Sequence, residues 1–564
     1  MIRSLLSGAC VLLALLSGCS RQPAQDAADL VILEGDIQTM DAAAAHATAL
    51  AVRDGKIVYV GDDAGAKPRI GPKTQVVHAE GMTVLPGLID SHIHAAEGAL
   101  GLGGCSLEDK QLTVEVAGKV IRQCVAKEPG TGWLVVSEVN SAGFSADRKG
   151  LDAIVSDRPL FLYGADGHTG WVNSKGLAIA GITRDTMDPP DGRIERDKSG
   201  EPTGFLVDGA LGPVTSSLDK PTPEKRLQAL REVLPLLHAA GITSYLEANT
   251  SAETVATYLE LAHQQALTAR VSIALSSDGD ATDAEFARLD GLRRSVAGEQ
   301  LLRADFIKLF ADGVMEYPTQ TAAMLEPYNK ADGKPGTSHG RLYIEDRAMK
   351  QFFQRAATAG FNVHVHAIGD AAVRETLDAV EAARAAGSKQ LYSIAHLQSI
   401  DPADLPRFAQ LGVIASFQLF WALPDNYSVD ALLPYIGADR QQRIYPARSV
   451  LAAGGTVAGG SDWDVTSFNP FEAMATGMSR TNPEEPVRGV LNEKERLTLD
   501  ELLHAYTINA ARLLGREAEI GSLAPGKAAD LIVLDRRLTP ESTSEAVRGT
   551  KVTQAFFAGR RVTP

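Results

Sequence analysis

Asp90-Ser91-His92-Ile93-His94 sets two histidines two residues apart, after the apolar run Val84-Leu85-Pro86-Gly87-Leu88-Ile89. The run reads as a buried strand, and in a strand residues i and i+2 share a face. The two imidazoles therefore project together, about 6–7 Å apart along the chain, an arrangement suited to gripping one metal ion at a barrel mouth or a sheet edge. Two histidines do not complete a site. Further donors recur in the same context downstream, in Asn362-Val363-His364-Val365-His366, Ile394-Ala395-His396 and Gly459-Gly460-Ser461-Asp462-Trp463, while Lys308 lies within the apolar run Asp305 to Phe310. Five of the 12 histidines fall at these points. A lone histidine on an apolar strand is more often a satisfied core residue; a set of them at successive strand ends points to metal chemistry.

The elements that must carry these residues are short apolar runs alternating with helical patterns, the mark of βα units and a parallel sheet. Eight runs stand out, at 84–91, 242–247, 271–276, 305–311, 362–367, 392–396, 412–417 and 456–461. That count predicts an α/β fold built on a (β/α)8 TIM-type barrel, whose active site lies at the C-terminal strand ends. The gap between the first and second runs is far longer than a crossover helix needs. Residues about 98–235 must hold an α/β insertion, with strands of its own near 133–139 and 159–165. Both ends of the chain are β-rich. Ala49 to Val52 and Lys56 to Gly61 flank the hairpin signal Arg53-Asp54-Gly55; Asp530 to Asp535 and the turn Ala558-Gly559-Arg560 repeat the style. We therefore expect a small β-sandwich formed from 29–84 and 515–564, with the barrel, 85–514, inserted between its halves.

Length and composition fit this plan. The chain has 564 residues, 45% hydrophobic and 22% charged, enough for a large α/β domain and a smaller partner. A formal charge of −15 argues against nucleic acid as a partner, because phosphate binding needs a basic surface. Residues 1–19 form a leader: Arg3 is followed by an apolar stretch, Leu5 to Leu16, too short to span a bilayer. It ends in Leu16-Ser17-Gly18-Cys19, which resembles a bacterial lipobox, with Cys19 as the lipid-bearing first residue of the mature protein and 20–28 as a tether. Ser20, rather than Asp, suits outer-membrane sorting, so the sequence predicts a periplasm-facing lipoprotein whose membrane contact is the lipid anchor alone. Outside the leader only Cys105 and Cys124 remain. An oxidising compartment permits a disulfide between them, with two buried free thiols as the alternative. The oligomeric state, a homodimer among the options, stays open.

The stretches PGLIDSHIH, DGHTGWVNS, IKLFADG, VHVHAIGDAAV, AHLQSIDPADL, GSDWDV and LAPGKAADLIVLD together resemble the amidohydrolase superfamily, in its amidohydrolase 3 or YtcJ-like branch. The resemblance spans nearly the whole mature chain. It implies that His92 and His94 bind a divalent metal with Asp462, that His366 and His396 hold a second, and that Lys308, carboxylated by CO2 in many relatives, bridges the two. One or two zinc ions are the expected cofactor, with manganese, iron, cobalt or nickel as alternatives. Water activated by the metal attacks a carbonyl carbon, and Asp462 is the expected general base, passing the proton to the leaving nitrogen. His168, in Asp166-Gly167-His168-Thr169-Gly170-Trp171, is expected to reach the site and contact or polarise the substrate, with Trp171 and Asn173 positioning that loop. His364 is expected to pack behind the ligands or contact substrate.

Two departures from the family pattern stand out. Ala395 occupies a place where relatives often carry Glu, removing a carboxylate beside His396. Asp464 stands where they carry Pro, either favouring a cationic substrate group or sitting as a solvated loop residue. The resulting expectation is hydrolysis of a non-peptide C–N bond in a small-molecule N-acyl or N-formyl amine or cyclic amide. Mononuclear deamination of a heterocycle and a non-catalytic binding lipoprotein are the alternatives. Lys308 speaks against the former, and the complete donor set against the latter.

Overall fold

The computed structural model describes residues 27–563. The leader with Cys19, and the tether as far as residue 26, lie outside the described residues. Among those described, no helix is long and apolar enough to cross a membrane.

Eight strands form one sheet in sequence order: β1 (Leu88–Ile93), β2 (Ile242–Thr250), β3 (Arg270–Ser276), β4 (Leu302–Phe310), β5 (Asn362–Ala367), β6 (Tyr392–His396), β7 (Val413–Phe417) and β8 (Thr456–Gly459). Every neighbouring pair is parallel. The ends meet just past β1 and β8, where Asp462 N donates to His92 O (2.8 Å) and His94 N to Trp463 O (2.7 Å), closing a barrel. All residues of β7 are buried, as expected where helices cover one face and the barrel interior the other. Helix Asp346–Ala359 shows how the cover is made: Met349, Phe352, Phe353 and Ala356 are its buried residues, a spacing that gathers them on one stripe against the sheet.

The first apolar run divides where a single strand over 84–91 was expected. Thr83–Pro86 pairs antiparallel with the C-terminal strand Leu531–Leu534, and only from Leu88 does the chain enter the barrel. Gly87 is the joint. A Cβ there would lie 2.1 Å from Thr243 Oγ1 on β2, so the close passage from one sheet to the next requires glycine.

The terminal domain has two sheets. One, from the N-terminal half alone, orders Lys56–Gly61, Ala49–Arg53, Leu30–Leu33 and Gln75–His78. The other interleaves both ends of the chain: Arg560–Arg561, Val552–Phe557 and Leu531–Leu534 continue into Thr83–Pro86, Asp36–Gln38 and His46–Ala47. Leu30, Ile32, Leu50 and Val52 pack against Leu531, Val533 and Phe556 between them, so the termini build one sandwich.

Between β1 and β2 the insertion forms its own six-stranded mixed sheet. Alternate residues bury on opposite faces: Leu160 and Leu162 join Val136 and Trp171, while Phe161 joins Val172 and Leu206. Cys105, in the short edge strand Cys105–Ser106, is disulfide-bonded to Cys124 of helix Val114–Lys127, which decides between the two readings of those cysteines.

Candidate active site

At the C-terminal end of the barrel, Asp462 sits among histidines. Its Oδ1 lies 3.2 Å from His92 Nε2 and 3.1 Å from His94 Nε2, and its Oδ2 lies 3.9 Å from His396 Nδ1. Lys308 Nζ, 1% exposed, is 3.3 Å from His92 Nε2. The rings of His366 and His396 are 4.4 Å apart, and those of His92 and His396 4.8 Å. Five sequence-predicted residues therefore join Asp462 in one cluster. His92, His94 and Asp462 each offer a ligand atom within 4.8 Å of the others, making them a candidate metal site.

Hydrogen bonding shows which ring nitrogens face the centre. His92 Nδ1 is 2.7 Å from His364 Nε2, and His364 Nδ1 is 2.7 Å from Ser393 Oγ. His364 thus has both nitrogens engaged and stands behind His92. His366 Nε2 lies 3.1 Å from Gly313 O; a carbonyl only accepts, so Nε2 carries the hydrogen and Nδ1 keeps the lone pair. Opposite nitrogens thus face the centre: Nε2 from His92 and His94 at β1, Nδ1 from His366 on β5 and His396 on β6.

Electrostatics suit cation binding. Burial, reinforced by the Lys308 charge, pushes His92 down to about 3, and burial holds His366 and His396 well below the usual imidazole range. These rings are neutral, as ligation requires. Burial opposes ionisation of Asp462, yet His92 and His94 hold its carboxyl well below the usual range. His94 moves the other way: burial lowers it, and the Asp462 carboxylate more than compensates. Burial brings Lys308 down to about 8, exposing a nucleophilic amine near neutrality. Asp462 Oδ1 and His396 Nδ1, both at this centre, are buried without a hydrogen-bond partner. Orphaned donors of this kind, one of them a carboxylate oxygen, fit a divalent cation.

Two carboxylates that the sequence reading left without a role brace the centre. Asp90 Oδ1 accepts from His92 N and Ser461 N, both at 3.0 Å, tying β1 to the segment after β8. Asp312 accepts from the backbone of Ala323, Ile368 and Gly369, fixing the turn after β5 that carries His366. The backbone is bent on purpose at two of the donors: His396 has φ 77° and Asp462 φ 55°. Left-handed conformations in non-glycine residues are worth about 1–3 kcal/mol of strain each, here held by the surrounding bonds.

His168 comes from the insertion. Gly167, with φ 71°, makes the turn that presents it, and Asp166 Oδ1 accepts from the His168 and Thr169 amides. Its Nδ1 lies 2.6 Å from Asp208 Oδ1, and Asp208 N donates to His168 O at 2.8 Å. The pairing of strands Thr169–Val172 and Pro202–Asp208 thus delivers a histidine–carboxylate dyad whose ring is 5.4 Å from that of His366. Asp208 was missed in the sequence; its only signal was an acidic residue at the end of an apolar strand. Trp171 is buried in the insertion core, and Asn173 Oδ1 accepts from Leu160 N and Gly176 N, so both are structural. Above the cluster opens a cavity of about 450 Å³, lined by His168, Trp421 and Asp464 as well as the barrel-end donors. Asp464 therefore faces the cavity. Ala395 pairs with His366 across the sheet and gives it an apolar neighbour.

The comparisons with known proteins bear on the family and the fold. The model of the amidohydrolase family matches residues 75–563. The chain is 29% identical to Protein LONG AFTER FAR-RED 3 of Arabidopsis thaliana, covering 96% of this chain and 93% of that one. It is 28% identical to the N-substituted formamide deformylase of Arthrobacter pascens, covering 94% and 97%. An uncharacterized metal-dependent hydrolase from Pyrococcus horikoshii OT3 shares the fold, with a TM-score of 0.71 at 22% identity over 92% of this chain and 99% of that one. The chain belongs to the amidohydrolase family, as a hydrolase acting on carbon–nitrogen bonds.

Proposed function

We propose that this enzyme hydrolyses an N-acyl or N-formyl amine at a centre held by His92, His94, Lys308, His366, His396 and Asp462, with one or two zinc ions and Lys308 carboxylated. The observation that carries the reading is Asp462, an ionised carboxylate only 6% exposed, at the cavity floor with His92, His94 and His396 around it. A divalent ion held by these residues would supply Lewis acidity towards water and the amide carbonyl. Asp462 accepts the proton of the attacking water and returns it to the leaving nitrogen. The His168–Asp208 dyad orients the substrate carbonyl from the opposite wall, Asp208 fixing the ring so that Nε2 faces the cavity. His364 and Asp90 keep His92 in place. The likeness to a formamide deformylase along nearly the full length of both chains supports a small amide over a heterocycle. The lipobox-like leader supports an envelope location, and the Cys105–Cys124 disulfide suits an oxidising compartment.

The test is elemental analysis of the purified protein together with turnover of a panel of N-formyl amines, N-acetyl amines and N-acyl amino acids. One to two equivalents of zinc or a similar ion, and release of free amine from a panel member, are expected. A folded enzyme that turns over amides without metal sinks the proposal.

A further inference from the structure

The wall of the cavity is charged in one sense. Asp109, Asp166, Glu316 and Asp425 line it, and no arginine does; Lys308, at the metal floor, is the single lysine among the lining residues. Two domains meet to make this wall. Asp109 and Asp166 belong to the insertion, Glu316 follows β4, and Asp425 precedes the helical turn Asn426–Asp430 after β7. Tyr427 Oη donates to Asp109 Oδ1 at 2.5 Å, and Asn426 Nδ2 donates to Asn140 Oδ1 at 2.9 Å, clasping barrel to insertion.

Their present partners are neutral. Asp166 Oδ1 accepts from the amides of His168 and Thr169 and from the Thr169 hydroxyl. Glu316 Oε1 accepts from Gln398 Nε2, and Asp425 Oδ1 from Ser428 N. The Arg488 guanidinium, whose charge acts on Asp425, bonds directly to Asp430, Glu485 and the backbone carbonyl of Asp425. Asp166 and Asp425 each repel both Asp109 and Glu316. Burial raises Asp109 and Glu316 to about 7 and Asp425 to about 6, the last in spite of the Arg488 charge, as expected of desolvated carboxylates. Phe420, Trp421 and Tyr427 add aromatic surface to the same cavity, and such faces attract cations.

Acidic side chains alone would not make a site. Here the cavity is marked as one by its floor: His396 and Asp462, 2% and 6% exposed, line it, and His396 Nδ1 and Asp462 Oδ1 have no hydrogen-bond partner.

We propose that the amine portion of the substrate carries a positive charge, an ammonium or guanidinium group seated against Asp109, Asp166, Glu316 and Asp425 while the amide reaches the barrel floor. The inference rests on the amide-hydrolase reading above and names the substrate class of that same site. A cation neutralises the clustered carboxylates, whereas an anion meets repulsion and a neutral chain leaves them unpaired.

Three matched amides test it with metal-replete full-length enzyme: N-formyl-1,5-diaminopentane, its neutral isostere N-formylhexylamine, and N-formyl-6-aminohexanoate, each also as the N-acetyl compound. We expect kcat/KM for the cationic member to exceed that of the neutral one by about tenfold or more, the anionic member to be poorest, and the advantage to shrink as ionic strength rises. Glu316→Gln and Asp425→Asn should each move the cationic-to-neutral ratio towards one. Because that ratio is read within one preparation, loss of folded protein cancels. Equal rates for cationic and neutral amides in the unaltered enzyme overturn this inference and leave amide hydrolysis standing. Turnover of none of the six, with metal content normal, overturns the amide reading and this inference with it.

Discussion

The barrel and the insertion face one cavity and hold their polar groups there by different means. In the barrel, parallel pairing sets the register: Lys308 lies opposite His364, Phe310 opposite His366, and Ala367 opposite His396. Each donor stands at a strand end, on a backbone pinned on both sides. In the insertion, His168 stands on a turn and is held by one carboxylate, Asp208, and by an antiparallel neighbour. Barrel donors are buried in a sheet whose strands cannot slip without dislocating the core. The insertion's groups can vary with its turns. The difference assigns the chemistry to the barrel and the handling of substrate to the insertion and the loops that clasp it.

The sharpest break of that division is at the barrel floor. Dialysis against a strong chelator should abolish turnover, with zinc restoring it and circular dichroism unchanged; retention of activity would place the chemistry elsewhere. Asp462→Asn should lower kcat by about 1,000-fold or more while the thermal transition stays sharp. A smaller loss, about 100-fold in kcat with a lesser change in KM, is expected of Asp208→Asn, because the ring of His168 loses its orienting partner. If Asp208→Asn instead matched Asp462→Asn in depth, the insertion would be part of the chemistry and the comparison would fail. The smallest effect on catalysis belongs to Cys124→Ser. It opens a loop with a sequence separation of 19 and should lower the stability of the insertion by about 3 kcal/mol, read as earlier proteolysis of the insertion at unaltered metal content.

How much was legible in the sequence follows the same line. The strands β5 and β6 coincide with their apolar runs, at 362–367 and 392–396, because each is short, β-branched or aromatic, and bounded by helix signals. The run before His92 read as one strand and is two, since the close approach of Gly87 to Thr243 is a property of packing with no local periodicity to announce it. His364 and His366 share a parity, so strand period alone could not tell a ligand position from its support, and only the family resemblance pointed to His366. The bonds of His364 to His92 and Ser393 make it the support. Asp90 stood in plain view within the motif, yet its bridge to Ser461 spans 371 residues of chain.

By itself the sequence determined which residue types recur at strand ends, the alternation that makes an α/β barrel, and the β-rich termini that close a sandwich. These are local matters of side-chain period and composition, carried by a few neighbouring residues. Tertiary structure alone decided which nitrogen of each histidine faces the centre, that Asp208 partners His168, and that four carboxylates from three parts of the chain share one wall. Those facts depend on distances between groups far apart in sequence, which only the folded chain brings within hydrogen-bond and Coulomb range.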